Sequence, residues 1–337
     1  PIGNGPFMMT EPWAHDQYVK VAANEDYYGD APYLDGVDFL IFTDEETAFL
    51  EFQAGNLDFT SIPSGQLGTT KDEYGESADG YTVAPGEQVL LGPETATYYI
   101  LMNNTNETLS DELVRQALSL GIDRQRISDT IFEGTREPAT GIVPPGIVGF
   151  SEDAWEYSYY DAEAAAAKLE EAGYPNGEGL PTIMLEFNSG SGHEDIMQLI
   201  QDDWSQLGVT AELEGTEWAQ YLDKLLEGTY MTGRLGWIAD YPIMDNFLYP
   251  LFTTDSTDNF AFYSNEEVDA KLSEARQTTD ADERVAMYQE VEGTIGQSAP
   301  VAPVMFYKHT RVGSDRLRDA VFSPQGLMNF EELWLGE

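Results

Sequence analysis

Residues 183–213 read IMLEFNSGSGHEDIMQLIQDDWSQLGVTAEL. The stretch opens on Ile183-Met-Leu-Glu-Phe187, a short apolar run that reads as a strand. From Glu194 to Leu207 the apolar residues fall at helical spacing. Met197, Ile200, Trp204 and Leu207 form one stripe, and Gly208 ends it. Val209 to Leu213 returns to strand. Strand, helix and strand in such close succession predict an α/β domain.

The same alternation extends in both directions. Toward the N-terminus, Tyr98-Tyr-Ile-Leu-Met102 reads as a buried strand. Asp111 to Leu120 reads as a helix stopped by Gly121. Ala162 to Ala172 reads as an alanine-rich helix started by Asp161 and closed by Gly173. Toward the C-terminus, Thr216 is expected to cap a helix carrying Trp218, Tyr221, Leu222 and Leu225. Ser264-Asn-Glu-Glu267 reads as a capping box, and Asp280 starts a further helix. Pro300 to Tyr307 leads a final group of strands. Near the start, Tyr18–Val21, Val37–Phe42 and Leu57–Ile62 read as strands and Glu45–Ala54 as a helix. Residues 63–87, rich in Gly, Ser, Thr and acids, read as loop and turn. Both Trp204 and Trp218 fall on apolar stripes and are expected in the core. Tyr157, Tyr159 and Tyr160 read either as core edge or as pocket lining.

The chain has 337 residues, 42% hydrophobic and 12% aromatic, enough for a large core and for two domains. Its 61 acidic residues against 16 Lys and Arg give a net charge of -45. The acids are spread along the chain and the hydrophobic content is ordinary, so the reading is a folded protein with an acidic shell. Such a surface repels itself in dilute buffer, whereas molar salt cuts the screening length to about 3 Å. This points to a very salty environment. It also argues against nucleic acid as a partner, which needs a basic footprint.

The absence of cysteine excludes disulfides, thiol catalysis and Cys-ligated metals. No apolar run is long enough to span a membrane as a helix. The histidines, His15, His193 and His309, lack zinc-site spacing. Asn188-Ser-Gly-Ser-Gly-His193 lies where a phosphate loop could sit, but it lacks the Lys-Ser/Thr ending and reads as a flexible turn. No nucleophile elbow or EF-hand loop is present, so no catalytic residue, metal or cofactor is assigned. The sequons Asn103-Asn-Thr and Asn106-Glu-Thr matter only in an exported protein.

One segment carries site chemistry, Arg234-Leu-Gly-Trp-Ile-Ala-Asp-Tyr-Pro242. Asp240 stands among Trp237, Tyr241 and apolar residues. A carboxylate held among rings is partly shielded from water, where a charge-assisted bond to a ligand cation is strong. The segment therefore reads as a recognition site for a cationic group. It reads equally as a turn aspartate beside core aromatics, because aspartate near proline is a common turn signal.

A run of motifs in order gives the chain a family likeness. Pro1-Ile-Gly-Asn-Gly-Pro-Phe7 is similar to PIGTGPF, and Asn24-Glu-Asp-Tyr-Tyr-Gly29 to NPDYWG. Glu51-Phe-Gln-Ala-Gly-Asn-Leu-Asp58 is similar to LQAGEID. Leu113-Val-Arg-Gln-Ala-Leu118 with Ile122-Asp-Arg124 is similar to VRQAL…AIDR. Pro138-Ala-Thr-Gly141 with Val143-Pro-Pro-Gly146 matches a proline-rich loop, and Leu169–Pro175 matches LLAEAGYP. Gly236-Trp-Ile-Ala-Asp-Tyr-Pro242 with Asp245-Asn-Phe-Leu248 is similar to GWGADYPDPDNFL, and Tyr263–Asp269 to YSNPEVD. The chain thus resembles the extracytoplasmic solute-binding proteins, family 5, that feed peptide, oligopeptide and nickel ABC importers.

The resemblance implies a periplasmic-binding-protein-like two-lobe α/β fold (type II, cluster C), here partial. Residues 1–87 would be part of the N-terminal lobe, 88–305 the complete C-terminal ligand-binding lobe, and 306–337 a return to the first lobe. It further implies a trimmed N-terminus and an extracellular protein, lipid-anchored through the missing part. That protein would act as a monomer, handing a peptide from an interlobe cleft to an ABC permease at the outer membrane face.

By resemblance Asp240 anchors the ligand's α-amino group, with Trp237, Tyr241 and Gly236 nearby, and Arg234 meets its carboxylate. The departure at Ile243-Met244, where DP is common, puts the local loop shape in question. If 234–240 is extended, Arg234 and Asp240 face one way, up to about 20 Å apart. A dipeptide spans only about 7 Å by the same rise. This favours a longer ligand if both residues clamp termini, unless the chain bends at Gly236. The alternatives are a sugar, a nickel chelate or another cationic solute. From other classes come a secreted acidic hydrolase and a structural surface-layer protein.

Overall fold

The structure, a computed structural model, describes residues 3–190 and 192–336. Pro1, Ile2 and Ser191, which belong to motifs quoted above, lie outside the described residues. The chain forms two compact units, Pro1–Glu94 with Lys308–Glu337, and Thr95–Tyr307.

In the smaller unit β1 (Phe7–Met9), β2 (Tyr18–Ala23) and β3 (Gly36–Leu40) make an antiparallel sheet. After them come α1 (Glu45–Gln53), β4 (Phe59–Ser61), α2 (Leu67–Tyr74) and β5 (Thr82–Val83). The region 63–87 is therefore not all loop. Helix α2, LGTTKDEY, contains Gly68 and two threonines and has no side-chain N-cap, so its local signal is weak. Strand β6 (Val89–Met102) starts in this unit and runs on into the larger one.

The larger unit continues with α3 (Glu112–Leu120), α4 (Arg124–Ile131), α5 (Ala162–Glu171), β7 (Ile183–Asn188), α6 (His193–Gln206) and β8 (Ala211–Thr216). Then follow α7 (Trp218–Glu227), β9 (Thr232–Ile238), α8 (Asp245–Phe252), α9 (Glu266–Gln277) and α10 (Ala281–Ser298). Strand β10 (Val301–Gly313) leads back to the smaller unit, where β11 (Leu317–Arg318), β12 (Ala320–Val321) and β13 (Trp334–Leu335) end the fold.

The strand order is β10-β6-β9-β7-β8, with β4 added at the β10 side within the smaller unit. Strand β7 runs parallel to β8 and β9, as the 183–213 reading requires, while β6 and β9 pair antiparallel. Both faces of this sheet are covered. Tyr98, Ile100 and Met102 of β6 join one core cluster with Val114, Leu169 and Trp204. The alternate residues Tyr99 and Leu101 join a second cluster with Tyr221, Phe247, Leu272 and Val291. The period-2 alternation of β6 thus feeds two helical layers.

Several acidic residues serve the fold directly. Asp44, Asp111, Asp161 and Asp280 are N-caps whose carboxylates accept main-chain N–H bonds. Each such cap stabilises by about 0.5–2 kcal/mol. Two sequence expectations shift. The cap of α9 is Asn265 rather than Ser264, accepting from Glu267 and Val268. Thr216 ends β8 and Glu217 precedes α7. Trp204 is fully buried and donates to the Leu118 carbonyl at 2.9 Å. Trp218, by contrast, is 47% exposed, because it opens α7 on the outward side.

The VRQAL and IDR motifs prove to be structural. Arg115 donates to the carbonyls of Leu109, Ser110, Ser298 and Ala299. Arg124 donates to Pro303, Ser119 and Ile122 carbonyls, and burial pulls its guanidinium down to about 9. Asn103 is buried with its amide nitrogen bonded to the Gly228 and Tyr230 carbonyls, so its sequon is closed in the folded protein.

Candidate ligand-binding site

Strand β9 carries the segment singled out in the sequence. Its extended part stops at Ile238, so residue parity does not carry through to Asp240. Arg234 contacts the first cluster's side of the sheet. Its Nη2 donates to the Tyr307 hydroxyl at 2.7 Å and its Nη1 to Asn188 Oδ1 at 3.2 Å. The guanidinium lies 4.9 Å from the Tyr98 ring centroid. Trp237, of opposite parity, packs against the second cluster. The condition on which Arg234 and Asp240 would share one face, an extended 234–240, is not met.

Gly236 sits where a side chain would collide. A Cβ there would lie 2.8 Å from the Tyr307 hydroxyl. The glycine lets Tyr307 close over β9 and reach Arg234. No bend occurs at Gly236, whose strand pairing continues opposite Tyr98.

After Ile238 the chain turns. Ala239 donates to the Thr95 carbonyl at 2.9 Å, and Asp240 is exposed rather than enclosed by rings. Its main-chain N–H donates to Asn246 Oδ1 at 2.9 Å, and Asn246 Nδ2 donates to its Oδ2 at 3.4 Å. Trp237 Nε1 donates to the same Asn246 Oδ1 at 3.1 Å. Tyr241, also exposed, donates its hydroxyl to Asp245 Oδ2 at 3.1 Å. Burial raises the Tyr241 phenol above its ordinary value, and the Asp245 charge adds to that. Asp245 is itself buried and accepts from Tyr288 at 2.8 Å, with Arg276 Nε 3.4 Å away. The Ile243-Met244 departure has a local effect. Met244 plunges into the second cluster and anchors the turn, while Ile243 stays exposed and bridges Val148.

Sequence reasoning missed His193 and Asn188, which it read as parts of a flexible turn. The fold brings both to the Arg234 end of the site. The His193 ring lies 5.7 Å from that of Tyr98. Burial, together with the Arg234 and Arg136 charges, drives its imidazole down to about 3, so it is neutral at ordinary pH. Arg136 stacks 4.9 Å from the Tyr307 centroid. Arg234 Nε and His193 Nδ1 are buried and make no hydrogen bond. No local pattern announces this group, because its members come from β6, β7, α6, β9 and β10.

The larger unit therefore carries two poles of opposite sign. Asp240 lies just past the end of β9, where Ala239 meets Thr95, the first residue of the unit. The arginine pole gathers at Tyr307, the last. Among the described residues no cluster of three or more His, Cys, Asp or Glu could hold a metal ion, and no helix is long and apolar enough to cross a membrane.

A sheet covered by helices on both faces, with Arg234 on its β9 strand and Asp240 just past that strand, places the larger unit in the α/β class. The model of the bacterial extracellular solute-binding proteins, family 5 Middle, matches residues 1–259, and the chain belongs to that family. It is 31% identical over 341 residues to the oligopeptide-binding protein OppA of Bacillus subtilis, covering 99% of this chain and 61% of that one. Heme-binding protein A of Haemophilus influenzae is 30% identical over 334 residues, covering 97% and 58%. The solved Escherichia coli murein tripeptide binding protein MppA matches with a TM-score of 0.85 at 26% identity, covering 99% of this chain and 64% of that chain. The chain thus spans about three-fifths of the length of the curated relatives it matches.

Proposed function

We propose that this chain forms the ligand-binding part of an ABC importer's receptor, which takes up peptides outside the cell at high salt and hands them to the membrane permease. In this reading Thr95–Tyr307 is the C-terminal, ligand-contacting lobe, and the rest of the chain belongs to the N-terminal lobe. The receptor acts as a monomer and performs no covalent chemistry. Asp240 receives the α-amino group, flanked by Trp237 and Tyr241. Arg234, with His193 and Tyr307 around it, meets the carboxylate side of the ligand. Gly236 contributes by admitting Tyr307.

The observation that carries the reading is the pair of opposite charges carried by one unit, Arg234 within β9 and Asp240 just past its end. A peptide with free ends is a dipole of the matching kind. The identity to an oligopeptide-binding relative supports the same ligand class. Asp240 is exposed, and a ligand that covers it would strengthen the contact by excluding water.

The test is Asp240→Ala in the full-length protein, titrated with peptide in a calorimeter at molar KCl. Affinity should fall by about 1.5–3 kcal/mol, the range for a hydrogen bond to a charged group. An unaltered affinity would refute the role. A second reading within the family is a solute other than a peptide, such as a sugar, a nickel chelate or another cationic nutrient. The heme-binding relative of nearly equal identity favours keeping it in the test. Mass spectrometry of the ligand released from the native protein separates the two.

A further inference from the structure

We infer that Asn246 is a positioning residue that makes the site select a free amino group over a blocked one. The inference rests on the reading of Asp240 as the amine anchor. Asn246 is 3% exposed, on the first turn of α8. Its Oδ1 accepts from both Trp237 Nε1 and the Asp240 main-chain N–H, at 3.1 and 2.9 Å. Both partners can only donate, so the carboxamide has one permitted orientation. Its Nδ2 is thereby turned to the Asp240 carboxylate, which it meets at 3.4 Å.

One buried group thus holds the indole, the turn and the carboxylate in a fixed mutual geometry. An exposed aspartate without such a support samples several rotamers, and ordering it on binding costs affinity. With the support, the ordering is done before the ligand arrives. Asn246 is itself held by its neighbours Met244, Phe247 and Leu248, all in the second core cluster. Tyr241 is fastened through Asp245, itself held by Tyr288 and Arg276, and its hydroxyl also interacts with the Asn246 side chain.

The test uses the full-length protein in molar KCl and two probes, a tetrapeptide library with free amino ends and its N-acetylated copy. Retention of each by the protein is read by mass spectrometry after ultrafiltration. The wild type should prefer the free library by about tenfold or more, as expected for a bond to a charged group. Asn246→Ala should cut that preference by about three- to tenfold. In an Asp240→Ala background it should change nothing further, because two residues acting through one contact are not additive. Should N246A melt at room temperature, Asn246→Ser, which keeps a small polar group there, carries the same comparison.

A wild-type preference retained in the Asn246 variant overturns the inference. So does an equal loss of both libraries with an unchanged melting curve, or an additive loss in the double variant. If Asp240→Ala leaves the preference intact, the amine-anchor reading itself falls, and that result is read independently of Asn246.

Discussion

Replacing Glu292 by glutamine should remove a pH dependence of stability that the native carboxyl imposes. Glu292 lies on α10, 1% exposed, and its Oε1 accepts from the Val143 N–H at 3.1 Å. Burial pushes its carboxyl up from an ordinary 4.5 to about 7, and the main-chain donors of Val143 and Ile142 offset only part of that. The folded state therefore holds the proton more tightly than the unfolded chain. The resulting stability is fully present below 4.5 and is lost as pH rises through about 7. The interval from 4.5 to about 7 spans 7 − 4.5 = 2.5 pH units. At about 1.4 kcal/mol per pH unit its ceiling is about 3 kcal/mol.

The many other carboxylates also titrate in this range, so the informative quantity is the difference between wild type and Glu292→Gln. Guanidinium denaturation of both proteins at matched ionic strength, from pH 4.5 to 8, measures it. The wild type should lose up to about 3 kcal/mol relative to the variant as pH rises across the window. Parallel curves would refute the reasoning. The effect bears on the site as well. Glu292 holds the segment whose Ile142 carbonyl accepts from Thr97, and Thr97 stands opposite Trp237 in the sheet.

Arg124→Met should destabilise by about 2–5 kcal/mol in chemical denaturation at molar salt. The Pro303 and Ser119 carbonyls would lose their buried side-chain donor, at about 1–3 kcal/mol each. A loss below about 1 kcal/mol would mean that these carbonyls find other partners. The net charge of -45 predicts that thermal stability rises from dilute buffer to molar KCl, as the screening length falls from about 10 to about 3 Å. A melting temperature indifferent to KCl would contradict the proposed high-salt habitat.

The fold was legible where apolar period and caps agreed. The strand–helix–strand at 183–213 and the Asp-capped helices α3, α5 and α10 carry strong local signals. Local signals failed where composition misleads. Only 98–102 of β6 read as strand, because Gly92 and Pro93 interrupt its apolar pattern. Helix α8 holds Pro250 within it, and its first residues read as part of a ligand motif. At the site, Asp240, Trp237, Tyr241 and Arg234 could be picked out because they crowd into one short segment. His193, Asn188 and Asn246 could not, since their meaning comes only from partners distant in sequence. Parity along 234–240 does not apply, because the strand ends two residues before the aspartate.

The aspartates that open α1, α3, α5 and α10 bear on any attempt to re-engineer this protein for ordinary laboratory buffers. Swapping surface acids for neutral or basic residues would lower the self-repulsion of a chain of net charge -45. Asp44, Asp111, Asp161 and Asp280 must be left out of such a swap, because removing them would unravel helix starts faster than it relieved repulsion.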